Sequence, residues 1–302
     1  MQSTVVCYGE TLFDHLPAGR QPGGAPMNVG IHARQLGLSS ALISRLGDDV
    51  PGRELRCLLR DRQVNTTALQ TDVTYPTGRV LGEEEANHQM RYTIEGPSAW
   101  DYIAPNDTDL ELVAASTFFV FGSLGSRNGV SANTLMNLLT VAPRPVLDIN
   151  LRSPHYNVTL LNTLLQQTQW LKLNDDELHE LVGLGLTAGQ TTEEQLLQLR
   201  TRYSLSVVCL TLGAAGALLL TPEGYVRQAG FPVTVVDTVG SGDAFLAALL
   251  AGYCAGDSWP DTLRSACLTG AYVATQPGAT PLVSSQLLTE FSQFLPENML
   301  PV

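Results

Sequence analysis

The stretch Asp237-Thr238-Val239-Gly240-Ser241-Gly242-Asp243 holds the residue types and spacing best suited to chemistry in this chain. Two glycines flank a serine, and a carboxylate follows at once. Residues 231–236 are apolar and β-branched, which reads as a buried strand. Residues 244–254 are almost wholly apolar and rich in Ala and Leu, which reads as a buried helix. A glycine-rich turn that opens a helix aims backbone N–H groups outward at the positive end of the helix dipole, so it suits an anion. Glycine also lets a bulky phosphate approach the backbone. A carboxylate beside a phosphate is repelled unless it has a task, such as taking the proton of an attacking hydroxyl. Amide donors plus one acid make an arrangement for phosphoryl transfer. The plainer alternative is a tight turn at Gly240 and Gly242, with Asp243 capping the helix.

The elements that must position this turn follow from the pattern along the chain. Residues 4–8 read as a strand ending at Gly9-Glu10, with Asp14 close behind. Gly23-Gly24-Ala25-Pro26-Met27-Asn28 opens a helix, since Pro26 suits a first turn. Val29, Ala33 and Leu36 recur at helical spacing and form its buried face; Asn28, His32 and Gln35 share the other face, where His32 is expected to be solvated. A strand over 40–46 and a helix over 51–61 come next. Residues 66–100 change texture. Pieces at 77–81 and 89–94, separated by an acidic turn at 82–87, read as a small sheet that makes, with residues 10–23, a flap or lid inserted in one domain spanning residues 1–302.

From residue 116 the α/β rhythm is regular. Strands are expected at 117–121, 145–149, 170–173 and 205–212, the last paired with 217–220. Helices are expected at 131–141, 160–167, 192–203, 261–274 and 284–294, and one opens at Asn174-Asp175-Asp176-Glu177. Such alternation implies a mostly parallel sheet covered on both faces. Ligands of these folds sit outside the carboxyl ends of the strands. The unusual polar residues gather at those ends: Glu10, Asp14, Ser123, Asn150, Arg152, Asn174, Glu177, Gly213 and residues 237–243. Together they describe one wall of a polar cleft.

Composition removes several function classes. The net charge is −12 with no block of Lys or Arg, so nucleic acid is not an expected partner. The longest apolar run, residues 245–254, is half of the ~20 residues that a membrane helix needs. The five cysteines are scattered, without a CxxC pair, as expected for reduced thiols in a cytoplasmic protein. The P-loop pattern GxxxxGK[ST] is absent, and Phe245 stands where a Rossmann fingerprint needs its third small residue.

Gly23-Gly24 with Asn28, together with residues 237–243, resembles the two signatures of the ribokinase-like, or pfkB, carbohydrate kinases. Asn174-Asp175-Asp176-Glu177 resembles the family's NxxE motif, and Thr211-Leu212-Gly213-Ala214-Ala215-Gly216 its nucleotide-side glycine turn. The resemblance covers essentially the whole chain. It implies a three-layer α/β/α fold with a small β lid, and an enzyme dependent on ATP and Mg2+. Asp243 would be the general base, and the amides of Gly240, Ser241 and Gly242 the anion hole. Asp14, Gly24 and Asn28 would hold sugar hydroxyls, joined by Asn150 and Arg152. Asn174 and Glu177 would place Mg2+ and phosphates, Glu177 through water; Thr211, Gly213 and Gly216 would lie beside the nucleotide. Asp237 and Ala279 resemble a monovalent-cation site, which would take K+. A homodimer formed through the lid is implied as well. Gly9-Glu10 with Asp14, and Asp148-x-Asn150-x-Arg152, look most like the fructokinase branch, which implies fructose as acceptor. A 2-keto-3-deoxygluconate kinase, a ribokinase-type activity and a non-catalytic sugar or nucleotide sensor are the alternatives.

Overall fold

Apolar residues alternate sides along the strands, and this period builds two cores back to back. On β1 (Thr4–Tyr8), Val5 and Cys7 face one core while Val6 and Tyr8 face the other. The computed structural model describes residues 4–17, 19–84 and 90–293. A nine-stranded sheet runs through the middle. One half holds β1, β4 (Ser39–Gly47) and β5 (Leu69–Asp72); the other holds β8 (Phe118–Gly122), β9 (Pro145–Asp148), β10 (Trp170–Asn174), β11 (Val207–Thr211), β12 (Ala217–Thr221) and β13 (Gly224–Gln228). The order is β13-β12-β11-β10-β9-β8-β1-β4-β5, parallel except for the antiparallel β12 and β13. The chain leaves β1 toward β4, then returns to β8 on the other flank. The β1/β8 boundary is therefore a topological switch point, where a crevice opens outside the strand ends.

Helices α1 (Ala25–Gln35), α2 (Val50–Asp61), α8 (Ser241–Ala255) and α9 (Trp259–Ala274) cover one face. Helices α3 (Asp107–Ala114), α4 (Gly129–Leu139), α5 (Val158–Gln166), α6 (Asp175–Gly183) and α7 (Thr192–Tyr203) cover the other. Helix α10 (Ser285–Gln293) packs on α9. This is the three-layer α/β/α arrangement. A separate four-stranded sheet, in the order β3-β2-β6-β7, is built from β2 (Leu12–Leu16), β3 (Gly19–Gly23), β6 (Gly78–Glu84) and β7 (Met90–Ile94).

Two expectations change. Residues 231–236 join no ladder, and Val235 and Val236 are more than half exposed, at 56% and 62%. The amides of Val236 and Asp237 donate to Ala274 O at the end of α9 instead. A β-branched run becomes a strand only when a neighbouring strand supplies partners. The stretch 66–100 is also not all small sheet. Its β5 pairs with β4 in the large sheet, burying Leu69, and Trp100 is fully buried against the main body. The tip of the expected acidic turn, residues 85–89, lies outside the described residues. Among those described, no helix is long and apolar enough to cross a membrane. The five cysteines are free.

Candidate active site

Helix α8 starts on Gly240, whose φ of 78° only glycine adopts without strain. A side chain there would drive a Cβ to 2.2 Å from Ala279 O. No side chain caps α8; Ser241 N donates to Thr238 O at 3.2 Å, and among the described residues the amides of Gly242 and Asp243 have no acceptor, so these two face whatever lies beyond. Helix α1 also begins on a glycine without a side-chain cap, at Gly24 with φ 113°. In contrast, side chains cap α2 through α7 and α9. The two uncapped helices pack together, and their first turns are joined: Asn28 Nδ2 donates to Asp243 Oδ2 at 2.8 Å. Asn28 is buried, and its Oδ1 has no partner. Burial, with Asp148 adding to it, pushes the Asp243 carboxyl up to about 6, while Asn28, Lys172 and Arg152 oppose the rise.

The small sheet supplies the opposite wall. Asp14 sits midway along β2, opposite Gln21 of β3. A Cβ on Gly23 would meet Asp14 Oδ2 at 2.2 Å, and one on Gly24 would meet Glu10 O at 2.4 Å. Only glycines allow the carboxylate and the β1 end to come this close. Burial pushes Asp14 up to about 6, against Arg152. Glu10 is buried, with Oε2 unpartnered, and burial pushes it up to about 7. Arg152 is exposed and donates to Leu151 O, yet its charge is the one that Glu10, Asp14 and Asp243 all feel. Asn150, just after β9, is left-handed at φ 41°, which Asn tolerates better than most residues.

Asn174 and Glu177 form a capping box on α6. Asn174 Oδ1 accepts from Glu177 N at 2.8 Å, and Glu177 Oε2 accepts from Asn174 N at 2.8 Å. Glu177 Oε1 accepts from Leu151 N at 2.9 Å, tying the β9 loop to α6. Both carboxylate oxygens thus already serve the backbone, and each keeps a lone pair directed elsewhere. Burial raises the Glu177 carboxyl above its ordinary range. Among the described residues, no three His, Cys, Asp or Glu side chains gather as a metal cage. A single carboxylate fits Mg2+, which keeps several waters and shares its sphere with phosphates.

Thr211 ends β11, and beyond it the turn is exposed from Gly213 (φ 53°) to Ala215 and buried at Gly216 (φ 100°), against residues 228–230. Among the described residues, no hydrogen bond joins it to Asp243 or Asn28. Asp237 Oδ1 accepts from Val239 N and Oδ2 from Gly278 N, which locks the 237–243 and 278–280 loops together. Ala279 O accepts from His32 Nε2 at 2.9 Å. His32 is fully buried, not solvated as its helix face suggested. Burial pushes it down to about 4, so it is neutral and holds the 278–280 loop through one N–H.

The sequence reading passed over one buried pair. Lys172 Nζ donates to both Asp148 oxygens at 2.8 Å. Both residues are almost wholly buried, and they sit directly opposite in the β9–β10 register. A lysine in the interior of a strand is the signal that could have found it, because charge is not placed there for packing.

A carboxylate hydrogen-bonded at an uncapped helix start, beside a polar wall that can grip hydroxyls, is the layout of a phosphoryl-transfer enzyme acting on a polyol. The family pattern of the pfkB family carbohydrate kinases matches residues 4–286, and the chain belongs to that family. It is a carbohydrate kinase. A fructokinase of Solanum tuberosum is 28% identical over 311 residues, covering 93% of each chain. An aminoimidazole riboside kinase of Salmonella typhimurium is 30% identical over 273 residues, covering 85% of this chain and 83% of its own. The structure of a Vibrio cholerae fructokinase, with fructose, ADP and calcium bound, superposes with a TM-score of 0.82 at 27% identity, covering 96% of this chain and 99% of that one.

Proposed function

We propose that the chain transfers the γ-phosphoryl group of ATP to a hydroxyl of fructose, giving fructose 6-phosphate. The observation that carries this is the Asn28–Asp243 hydrogen bond, which joins the polyol-gripping wall to the start of α8. A hydroxyl held by Asp14, Gly24, Asn28, Asn150 and Arg152 would give its proton to Asp243 as its oxygen attacks the γ-phosphorus. The new O–P bond forms as the bond to the β-phosphate oxygen breaks. The Gly240, Ser241 and Gly242 amides would take up charge on the phosphoryl oxygens. The base contributes ~10²–10⁴ in rate. Glu177, with Asn174, would hold Mg2+ through water, and when bound it neutralises phosphate charge. Thr211, Gly213 and Gly216 would carry the nucleotide. Asp237 and Ala279 would take K+ beside the anion hole.

The test is ADP release from Mg-ATP over fructose, ribose, glucose, aminoimidazole riboside, 2-keto-3-deoxygluconate, nucleosides and fructose phosphates. Turnover led by fructose supports the assignment. Turnover led by the riboside or the sugar acid keeps the chemistry and moves the substrate; the sugar acid would assign Arg152 to its carboxylate. No release with any acceptor overturns the kinase assignment and leaves a sensor.

A further inference from the structure

Lys172 lies on the same face of β10 as Trp170, the face turned toward α8. Its other neighbour in register, Cys209 of β11, is a buried thiol that burial keeps protonated. Asp148 is therefore its counter-ion, and two of its three N–H bonds point there. No acceptor among the described residues takes the third. Above the ammonium stands the first turn of α8. A Cβ on Gly242 would lie 3.4 Å from Lys172 Nζ. Gly242 is not among the glycines with positive φ, so its backbone does not require glycine. Glycine inside a helix costs about 1 kcal/mol relative to alanine. What its missing side chain provides is an uncovered path between the ammonium and the turn.

A buried ion pair is poor support for stability, because apolar residues of similar volume often serve as well or better. The pair also reaches the groups around it. Lys172 favours the ionised forms of Asp243 and Glu177. We infer that Lys172, clamped by Asp148, is a positioning residue that sets a fixed positive charge beneath the first turn of α8. There it strengthens the hold of that turn on the phosphoryl group in transit. The inference rests on the kinase assignment above.

The test compares the wild type with Lys172→Met/Asp148→Leu, which removes both charges and keeps the volume, and with Lys172→Met. Melting temperature checks that each variant is folded. Titration calorimetry gives the affinity for Mg-AMP-PNP relative to Mg-ADP, a ratio that isolates the γ-phosphate. Steady-state assays with the accepted sugar give kcat and KM. In the double variant the ratio should fall about tenfold, and kcat about tenfold to a hundredfold, with the sugar KM within about threefold. A packing role would lower the melting temperature and leave the nucleotide ratio alone. A functional wild type and a folded double variant with an unchanged ratio and kcat would overturn the inference by itself. A wild type that binds neither nucleotide and phosphorylates no sugar would overturn the kinase assignment and this inference together.

Discussion

Asp243→Asn separates base chemistry from everything else this residue does. The bond from Asn28 Nδ2 to Asp243 Oδ2 at 2.8 Å can be kept, because an amide oxygen accepts it equally well. Binding of sugar and nucleotide should therefore survive. The amide cannot take a proton, so kcat should fall by ~10²–10⁴, or about 2.7–5.4 kcal/mol of transition-state stabilisation. The wild-type acid limb of kcat/KM should centre near the Asp243 value of about 6, and the residual rate of the variant should lose that limb.

The same substitution should stabilise the fold. The ordinary value of this carboxyl is 3.8 and its folded value about 6, so the folded state takes up the proton first as pH falls. Its contribution to stability is fully present below pH 4 and is lost as pH rises through 6. At neutral pH the ionised group costs on the order of 3 kcal/mol. Each kcal/mol moves the melting temperature of a chain this long by about 2–4 °C. Asp243→Asn should therefore melt higher than wild type at pH 7.5, and the gap should close near pH 4. Stopped assays of ADP release and melting scans over pH 4–8 measure both effects. A near-normal kcat would remove Asp243 as base. An acid limb near 6 that persists in the variant would assign it to Asp14 or Glu10, whose carboxyls burial also raises.

Other outcomes follow from the same geometry. Gly240→Ala should destabilise by more than the ~1–2 kcal/mol of a left-handed residue, because its Cβ also meets Ala279 O at 2.2 Å; chemical denaturation and kcat should worsen together. Glu177→Gln leaves one of two backbone donors, Leu151 N or Asn174 N, without its acceptor, a loss of about 1–3 kcal/mol. It should also raise the Mg2+ concentration for half-maximal rate, and an unchanged Mg2+ dependence would make Glu177 a capping residue alone. The edges of the small sheet, β3 and β7, have one neighbour each, and Tyr92 on β7 is 58% exposed. An edge of this kind invites pairing with a second copy. Light scattering at micromolar concentration should give twice the 32.5 kDa chain mass, and a monomer would count against pairing through this sheet.

The parts legible in the sequence are those where local chemistry decides. Asn174 and Glu177 are three residues apart at a helix start, and they close a capping box with each other. The apolar period set the strands and helices of the large sheet, whose neighbours are supplied by the α/β rhythm itself. Residues 231–236 have the composition of a strand, but they pair with none, and the amides of Val236 and Asp237 go to Ala274 O at the end of α9, a long-range contact that no local pattern contains. His32 lies with Asn28 and Gln35 on the side of α1 opposite the expected buried face, yet α1 is buried on both sides, from Pro26 to Ala33. The burial of His32 came from the 278–280 loop, about 250 residues away, which no local pattern contains. Asp148 and Lys172 are a register pair between two strands separated by α5. Asp148 alone reads as a charge at a strand end and Lys172 as a charge inside one, and only the register makes them a buried ion pair.

The capping pattern shows where stability has been given up. Among the described residues, eight helices start with a side-chain cap, each worth about 1 kcal/mol, the last being α10 through Ser284 Oγ. The two that start bare, α1 and α8, meet at the Asn28–Asp243 bond. Around that bond stand three carboxyls raised by burial (Glu10, Asp14 and Asp243), the unpartnered Oδ1 of Asn28 and Oε2 of Glu10, and a lysine under the turn. Each feature lowers stability on its own terms, since buried charge and unsatisfied polar atoms are costly. Similar costs occur elsewhere, as at Asp109, whose carboxyl burial raises to about 6 and whose Oδ2 has no partner. What sets the group at the β1/β8 switch point apart is that it adjoins two helix starts without a side-chain cap, where one polar, anionic ligand pair would satisfy both kinds of cost: hydroxyls for the unpartnered oxygens, and phosphate for the amides of the α8 turn.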